Sequence, residues 1–165
     1  MPSPSDPPAL TGDDLATWSA FATVLEWLPA ALDAQLLRDS ELTHFEYGIL
    51  FALANAPERS LRLSILAGYA NSSLSRLSRA TTRLEKREWL RREPDPTDGR
   101  YTLAVLSDAG QEKCDLATPG HVLTVNRLVL NSLTRAQLSQ LRTISGRISR
   151  AIREEGEWQP TPKDD

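Results

Sequence analysis

The stretch SSLSRLSRATTRLEKREWLRREPDPTDGRYTLAVL, residues 72–106, changes period half-way along. In its first half Leu74, Leu77, Thr81 and Leu84 recur at three- and four-residue spacing. That is the signature of one helical face. At 100° per residue Arg76, Arg79, Arg83, Lys86 and Arg87 fall on roughly the opposite side. Asn71 or Ser72 is the expected N-cap, because a short polar side chain satisfies orphan backbone donors. After Lys86 the helical period is lost. Residues 89–93 and 100–106 read as two strands. Residues 94–99, PDPTDG, are dense in turn formers and join them as a hairpin.

Working outward, the flanks are helical. Towards the N-terminus, T43-H-F-E46 is a capping box that opens a helix carrying Phe45, Ile49, Leu50 and Leu53. Asn55-Ala56-Pro57 ends it, and Leu63, Leu66, Ala67 and Tyr69 make a short helix after it. Earlier still, Leu15, Trp18, Ala22 and Leu25 start a long helix at Asp13 that Pro29 is expected to kink or break. Towards the C-terminus, Ser107-Asp108 caps a helix that Pro119-Gly120 is expected to interrupt. T134-R-A-Q137 is a second capping box, opening a last helix with Leu138, Leu141, Ile144, Ile148 and Ile152 on one face. The proline-rich residues 1–12 and the polar residues 156–165 read as disordered tails around one domain, 13–155.

The charge distribution narrows the function. Residues 59–92 hold nine basic side chains against Glu85 and Glu88, in a chain of 165 residues whose net charge is −3. The window is therefore +7 and the remainder −10. A polyanion needs only a local patch. Three short helices, the third basic and followed at once by a hairpin, form a winged helix-turn-helix: a mainly α fold with a small β-hairpin wing. Such a helix fits the major groove, and Arg100 on the hairpin can reach the backbone or the adjacent minor groove. A winged helix that binds protein instead of DNA is the competing reading; such modules commonly lack both the basic helix and the wing arginine.

Other classes find little support. There is no G-x-S-x-G, P-loop, H-E-x-x-H or glycine-rich dinucleotide loop, so no enzyme and no cofactor is expected. The lone Cys114 excludes an internal disulfide and suits a reducing cytoplasm. His44 and His121 lack metal-ligand spacing, and His44 is read as a surface residue. No apolar run reaches the length of a membrane span, and the N-terminus has no secretory pattern, so no membrane partner is expected.

The run from Leu63 to Gly110 resembles the MarR family of bacterial transcription regulators. The most specific parts are R-L-E at 83–85, W-L-R-R at 89–92, D-P-T-D-G-R at 95–100 and L-S-D-A-G at 106–110. The likeness extends over roughly residues 13–153. It implies a homodimer in which 13–39 and 107–155 supply interlocking helices and 43–106 the DNA-binding part. It implies double-stranded DNA as the partner, contacted by Ser72, Ser73, Ser75, Arg76, Arg79 and Arg83 on the basic helix. Arg100 is the implied wing contact, oriented by Asp98. The expected function is that of a repressor binding a pseudo-palindromic operator. A small aromatic or phenolic acid would relieve it, bound among Trp18, Phe21, Trp27, His44, Tyr47 and Arg92. Redox relatives keep a reactive cysteine in the first helix; Cys114 lies elsewhere and is read as structural. Glu88 stands where the family usually has a glycine just after the basic helix, so glutamate must adopt positive φ or the helix must end differently.

Overall fold

The computed structural model describes residues 9–69 and 73–155. The expected tails lie almost entirely outside these, as do Asn71 and Ser72. The chain runs α1 (Gly12–Ser40), α2 (His44–Ala54), a short 3-10 turn (Pro57–Arg59), β1 (Ser60–Arg62), α3 (Leu63–Tyr69), α4 (Leu74–Lys86), β2 (Leu90–Pro94), β3 (Thr102–Leu106), α5 (Asp108–Leu128), a second 3-10 turn (Leu130–Ser132) and α6 (Arg135–Glu155). The three strands form an antiparallel sheet in the order β1-β3-β2. Leu61 faces Ala104 across β1 and β3, and Arg92 faces Ala104 across β2 and β3. The strand β1 was not expected from sequence, since three residues are too few to show an alternation.

Both capping boxes are present. In the first, the Thr43 hydroxyl accepts from the Glu46 N–H, and the Glu46 carboxylate accepts from the Thr43 N–H. In the second, Thr134 and Gln137 exchange the same two bonds. The N-cap of α4 is Ser73, one or two residues later than expected, its Oγ accepting from the Arg76 N–H at 3.2 Å.

Neither of the breaks allowed for at the prolines occurs. α1 runs unbroken through Pro29, and α5 runs unbroken through Pro119-Gly120. Each proline removes one backbone bond, yet long helical segments on either side hold themselves together. Gly120 has a packing reason: a Cβ there would lie 3.1 Å from Gln35 Nε2 on α1, so it permits close approach of α5 to α1.

The core gathers Leu36 and Leu42 with Ile49, Leu50 and Leu53 from α2, Leu66 from α3, and Leu77 and Leu84 from α4, all essentially without solvent contact. On α4 the buried stripe is Leu77, Ala80, Thr81 and Leu84. Leu74, expected on that face, is 60% exposed because it belongs to the first turn, beyond the reach of the core. The Thr81 hydroxyl is buried and donates back to the Leu77 carbonyl, which satisfies it without a partner from another element.

The junction of α4 and β2 is built from backbone bonds. The Trp89 N–H bonds the Leu84 carbonyl at 3.1 Å and the Glu88 N–H bonds the Glu85 carbonyl at 2.9 Å. This is the double bond pattern of a helix closing through a left-handed residue. That residue is Glu88, with φ 60°. Glutamate therefore adopts the conformation that a glycine would take there, and the Ser107 hydroxyl donates to its carbonyl at 2.6 Å. Ser107 also N-caps α5 by accepting from the Gly110 N–H. A Cβ on Gly110 would lie 1.9 Å from the Trp89 carbonyl oxygen, so the first turn of α5 sits directly on the backbone just before β2.

Two stability outcomes follow from this junction. Glu88→Gly removes the left-handed penalty on an exposed side chain and should stabilise the fold by roughly 0.5–1 kcal/mol in denaturant unfolding. Gly110→Ala has to displace backbone and should destabilise by at least about 1–3 kcal/mol. A Glu88→Gly variant that unfolds at lower denaturant would show that the glutamate makes a compensating contact.

Candidate nucleic-acid interface

α4 sits on the body of the domain through its buried stripe, and its other side is open. Ser75, Arg76 and Arg79 are exposed there. Ser73 is the cap, so its hydroxyl already serves the helix; Ser72 lies outside the described residues. The Arg76 guanidinium lies 4.3 Å from the centre of the Phe45 ring on α2, and Arg79 Nε donates to the Ser75 carbonyl at 3.4 Å. Neither arginine has a carboxylate partner among the ion pairs of the described residues.

Arg83 differs from them. Its Nε donates to Glu46 Oε1 at 2.7 Å, while Glu46 Oε2 serves the capping box. One nearly buried carboxylate thus caps α2 and ties α4 to it. These bonds outweigh the burial that would raise the Glu46 pKa, and its carboxyl is held below the ordinary range. Glu85 has a parallel role at the far end of α4. Its carboxylate accepts from Arg92 Nε, Arg92 Nη2 at 2.6 Å and the Arg92 backbone N–H, fastening β2 to the helix.

In the loop between β2 and β3, Asp98 and Arg100 meet side by side. Arg100 Nε donates to Asp98 Oδ1 at 3.0 Å and Nη2 to Oδ2 at 2.9 Å. The fork geometry holds the guanidinium plane while 79% of the arginine side chain stays exposed. Their hydrogen bond lowers the pKa of Asp98 and raises that of Arg100, so the pair is fully charged near neutrality.

A solved relative settles the assignment. Sco3205, a MarR family transcriptional regulator from Streptomyces coelicolor, was crystallised in complex with DNA. It is 37% identical, with 94% of this chain and 98% of that one covered and a TM-score of 0.88. The chain belongs to the MarR family. The family model, described as "MarR family", matches residues 42–102, from the approach to α2 to the start of β3. AbsC, a MarR family regulator from the same organism, is 30% identical over 90% of this chain and all of that one, with a TM-score of 0.85. PcaV, also from Streptomyces coelicolor, shares the fold at 23% identity and a TM-score of 0.69. No curated protein sequence matches. MarR-family regulators are DNA-binding transcription regulators, and the mostly helical body with its three-stranded sheet is their winged-helix architecture.

Within this single MarR-family chain the residues expected to hold a ligand fall in separate places rather than around one pocket. Trp18 and Phe21 touch each other on α1, with ring centres 6.4 Å apart. Trp27 is 74% exposed. Tyr47 is buried and its hydroxyl is 3.1 Å from the Thr118 hydroxyl. Arg92 is engaged by Glu85. Of the six, only His44 borders the large groove of about 820 Å³ between α1, α2 and α4. Its other walls include Asp33, Phe45, Ile49 and Leu66, with Arg76, Arg79 and Arg83. Sequence spacing could not show that the basic helix itself would wall a groove, since that depends on how α4 crosses α2.

His121 was also missed. It packs on Tyr47 at 4.6 Å and on His44 at 5.4 Å between ring centres, joining α5 to α2. His44 is therefore half-buried rather than a surface residue, and its backbone N–H donates to Asp33. Burial lowers the pKa of both, with His44 adding to the effect on His121 and Asp33 opposing it on His44. Cys114 is buried, and burial raises its thiol pKa, which disfavours the reactive thiolate.

The histidine pair sets a pH dependence. Both folded pKa values lie below the ordinary 6.5, so the unfolded chain binds more protons as pH falls through that value. Stability should be full above about pH 6.5 and decline towards pH 5, before carboxylates titrate. His121→Phe should flatten the melting temperature between pH 7 and 5. An unchanged slope in that variant would place the acid sensitivity elsewhere.

Proposed function

We propose that this protein is a homodimeric repressor that binds a pseudo-palindromic operator with α4 in the major groove and Arg100 in the flanking minor groove. The carrying observation is the division of α4: Leu77, Ala80, Thr81 and Leu84 are buried while Ser75, Arg76 and Arg79 stay open. Sco3205, the relative solved with DNA, supports reading that open side as the DNA face. Arg76 and Arg79 have no carboxylate partner among the described residues and are available to base edges or phosphates. Arg83 shares Glu46 and acts chiefly as the tether of α4. Asp98 holds the Arg100 fork, which suits a narrow groove of strong negative potential.

Dimerisation is argued from what one chain leaves uncovered. No residue of α6 is buried, although Leu141, Ile144 and Ile152 make one apolar side of it. Leu15, Trp18, Val24, Leu25 and Trp27 are similarly exposed on α1. α1 is even apolar enough by length and composition to span a bilayer, contrary to the expectation from sequence, with a mean hydropathy of 1.2 over its most apolar window. Charged Asp13, Asp14 and Asp33 and the docking of α1 against α5 fit a protein partner for this surface better than lipid. The second copy is the economical occupant. Ile144→Asp with Ile152→Asp should give a monomer in analytical ultracentrifugation that has lost operator binding. A variant that stays dimeric would remove α6 from the interface.

The groove beside α4 supports ligand control. An aromatic acid placed there would lay its ring against Phe45, Ile49 and Leu66 and its carboxylate near Arg76 and Arg79. Arg92, tied to Glu85, has no part in this. Occupancy would hold α4 away from its DNA-bound pose or change the spacing of the two α4 helices. By linkage the ligand must bind operator-free dimer more tightly, by the factor by which it weakens operator.

Operator selection from random duplexes supplies the test. Half-sites about one helical turn apart are expected, with affinity falling steeply between 50 and 300 mM salt. Arg76→Ala should weaken binding by about 1–3 kcal/mol. Salt-independent affinity would overturn the DNA reading, and a panel of aromatic and phenolic acids that moves neither melting temperature nor operator affinity would overturn the ligand reading.

A further inference from the structure

Arg62 is the last residue of β1, immediately before α3, and it lies opposite Leu103 of β3. Its side chain crosses to the wing. Nε donates to Asp95 Oδ2 at 2.6 Å, Nη2 reaches the Thr97 hydroxyl at 3.4 Å, and the guanidinium lies 4.3 Å from the centre of the Tyr101 ring. Asp95 is almost fully buried and both of its carboxylate oxygens are engaged, since Oδ1 accepts both the N–H and the hydroxyl of Thr97. These bonds, led by those from Thr97, hold the carboxyl at about 2, so the ion pair persists throughout the physiological range.

The loop that Arg62 grips carries the wing arginine. The Asp95 N–H bonds the Tyr101 carbonyl at 2.9 Å and the Tyr101 N–H bonds the Asp98 carbonyl at 3.0 Å. Residues 95–101 therefore close on themselves, with Asp98 and Arg100 paired inside the closed segment. A closed loop can still swing as a unit about the ends of β2 and β3. Arg62 removes that freedom by holding the base of the loop at two places, Asp95 and Tyr101, from the strand that leads into the helix-turn-helix.

We propose that Arg62 is a positioning residue for DNA binding, splinting the wing to the strand before α3 so that Arg100 and α4 reach DNA as one rigid body. The inference rests on the reading of Arg100 as a wing contact. Preorganisation is the physical gain, because a wing that swings must be ordered when DNA binds. Lysine could supply the charge at this position but not the planar fork and the stacking on Tyr101 together.

The test is a double-mutant cycle on the full chain, using a selected operator, anisotropy titration and hydroxyl-radical footprinting. Arg100→Ala should lower affinity by roughly tenfold and remove protection of the flanking minor groove. Arg62→Gln should lower affinity by about three- to tenfold, blur the same flanking protection, and add nothing in the Arg100→Ala background. Arg62→Lys should behave like Arg62→Gln, and it replaces that variant in the cycle should Arg62→Gln melt near the assay temperature. Equal losses in both backgrounds would make Arg62 an independent phosphate contact and overturn the proposal. Unchanged affinity and footprint in the Arg62 variants would also overturn it. An Arg100→Ala protein that binds as well as wild type would instead overturn the wing reading beneath it.

Discussion

The burial of one side of α4 is the constraint on which the rest of the molecule depends. Leu77, Ala80, Thr81 and Leu84 lock the helix into a core shared with α2, α3 and the sheet. The opposite side is thereby committed to solvent and can be filled with arginines at little cost to folding. Three glutamates add fixed connections to that packing. Glu46 holds Arg83 from α2. Glu85 holds Arg92 and so fixes the departure of β2. Glu88 turns the chain through its left-handed φ. In an interface that has to be cationic, these acids serve as internal fasteners. Arg83 and Arg92 are thus held by carboxylates within the fold, whereas Arg76 and Arg79 have none among the ion pairs of the described residues, which is what the proposed DNA contact needs.

The wing repeats this arrangement on a smaller scale. Asp95 takes the structural arginine, Arg62, in a buried pair, and Asp98 takes the exposed one, Arg100. Burial sorts the two roles: an Asp95 carboxylate almost without solvent contact cannot lose its partner without leaving a charge uncompensated. The half-exposed Asp98–Arg100 pair gives up little if the guanidinium turns to another anion, since exposed pairs are weakly held in water.

Much of this was legible in residues whose chemistry is local. Capping boxes announce themselves in four residues, and both are present where Thr43 and Thr134 place them. The change from helical to alternating period at residues 87–89 located the wing, and the family resemblance implied the Asp98–Arg100 pair within it. What was illegible depends on how elements cross. Pro29 and Pro119 look like helix breaks to a local rule, but long flanking segments keep α1 and α5 continuous. Leu74 satisfies the apolar period yet overhangs the core. Trp18, Phe21, Trp27, Tyr47 and Arg92 have the right chemistry for an aromatic acid, and within one chain Trp18 and Phe21 meet on α1 while Tyr47 packs on His121 and Arg92 is held by Glu85. The contacts His44–His121, Arg83–Glu46 and Arg62–Asp95 span 77, 37 and 33 residues, and no periodicity carries that information.

The acidic balance of the chain completes the argument instead of opposing it. Residues 59–92 carry seven excess positive charges and the rest of the chain ten excess negative ones, so charge is unevenly distributed along the sequence. On the proposed reading DNA approaches the basic side of α4, while the acidic start of α1, where Asp13 and Asp14 lie in the first turn, repels it. Those two aspartates also stabilise their own helix, being placed at the positive end of its dipole. A uniformly basic protein would bind DNA through any face and spend its time in unproductive orientations. Segregation keeps the electrostatic pull while suppressing the wrong encounters, so the net negative charge is itself a source of orientation.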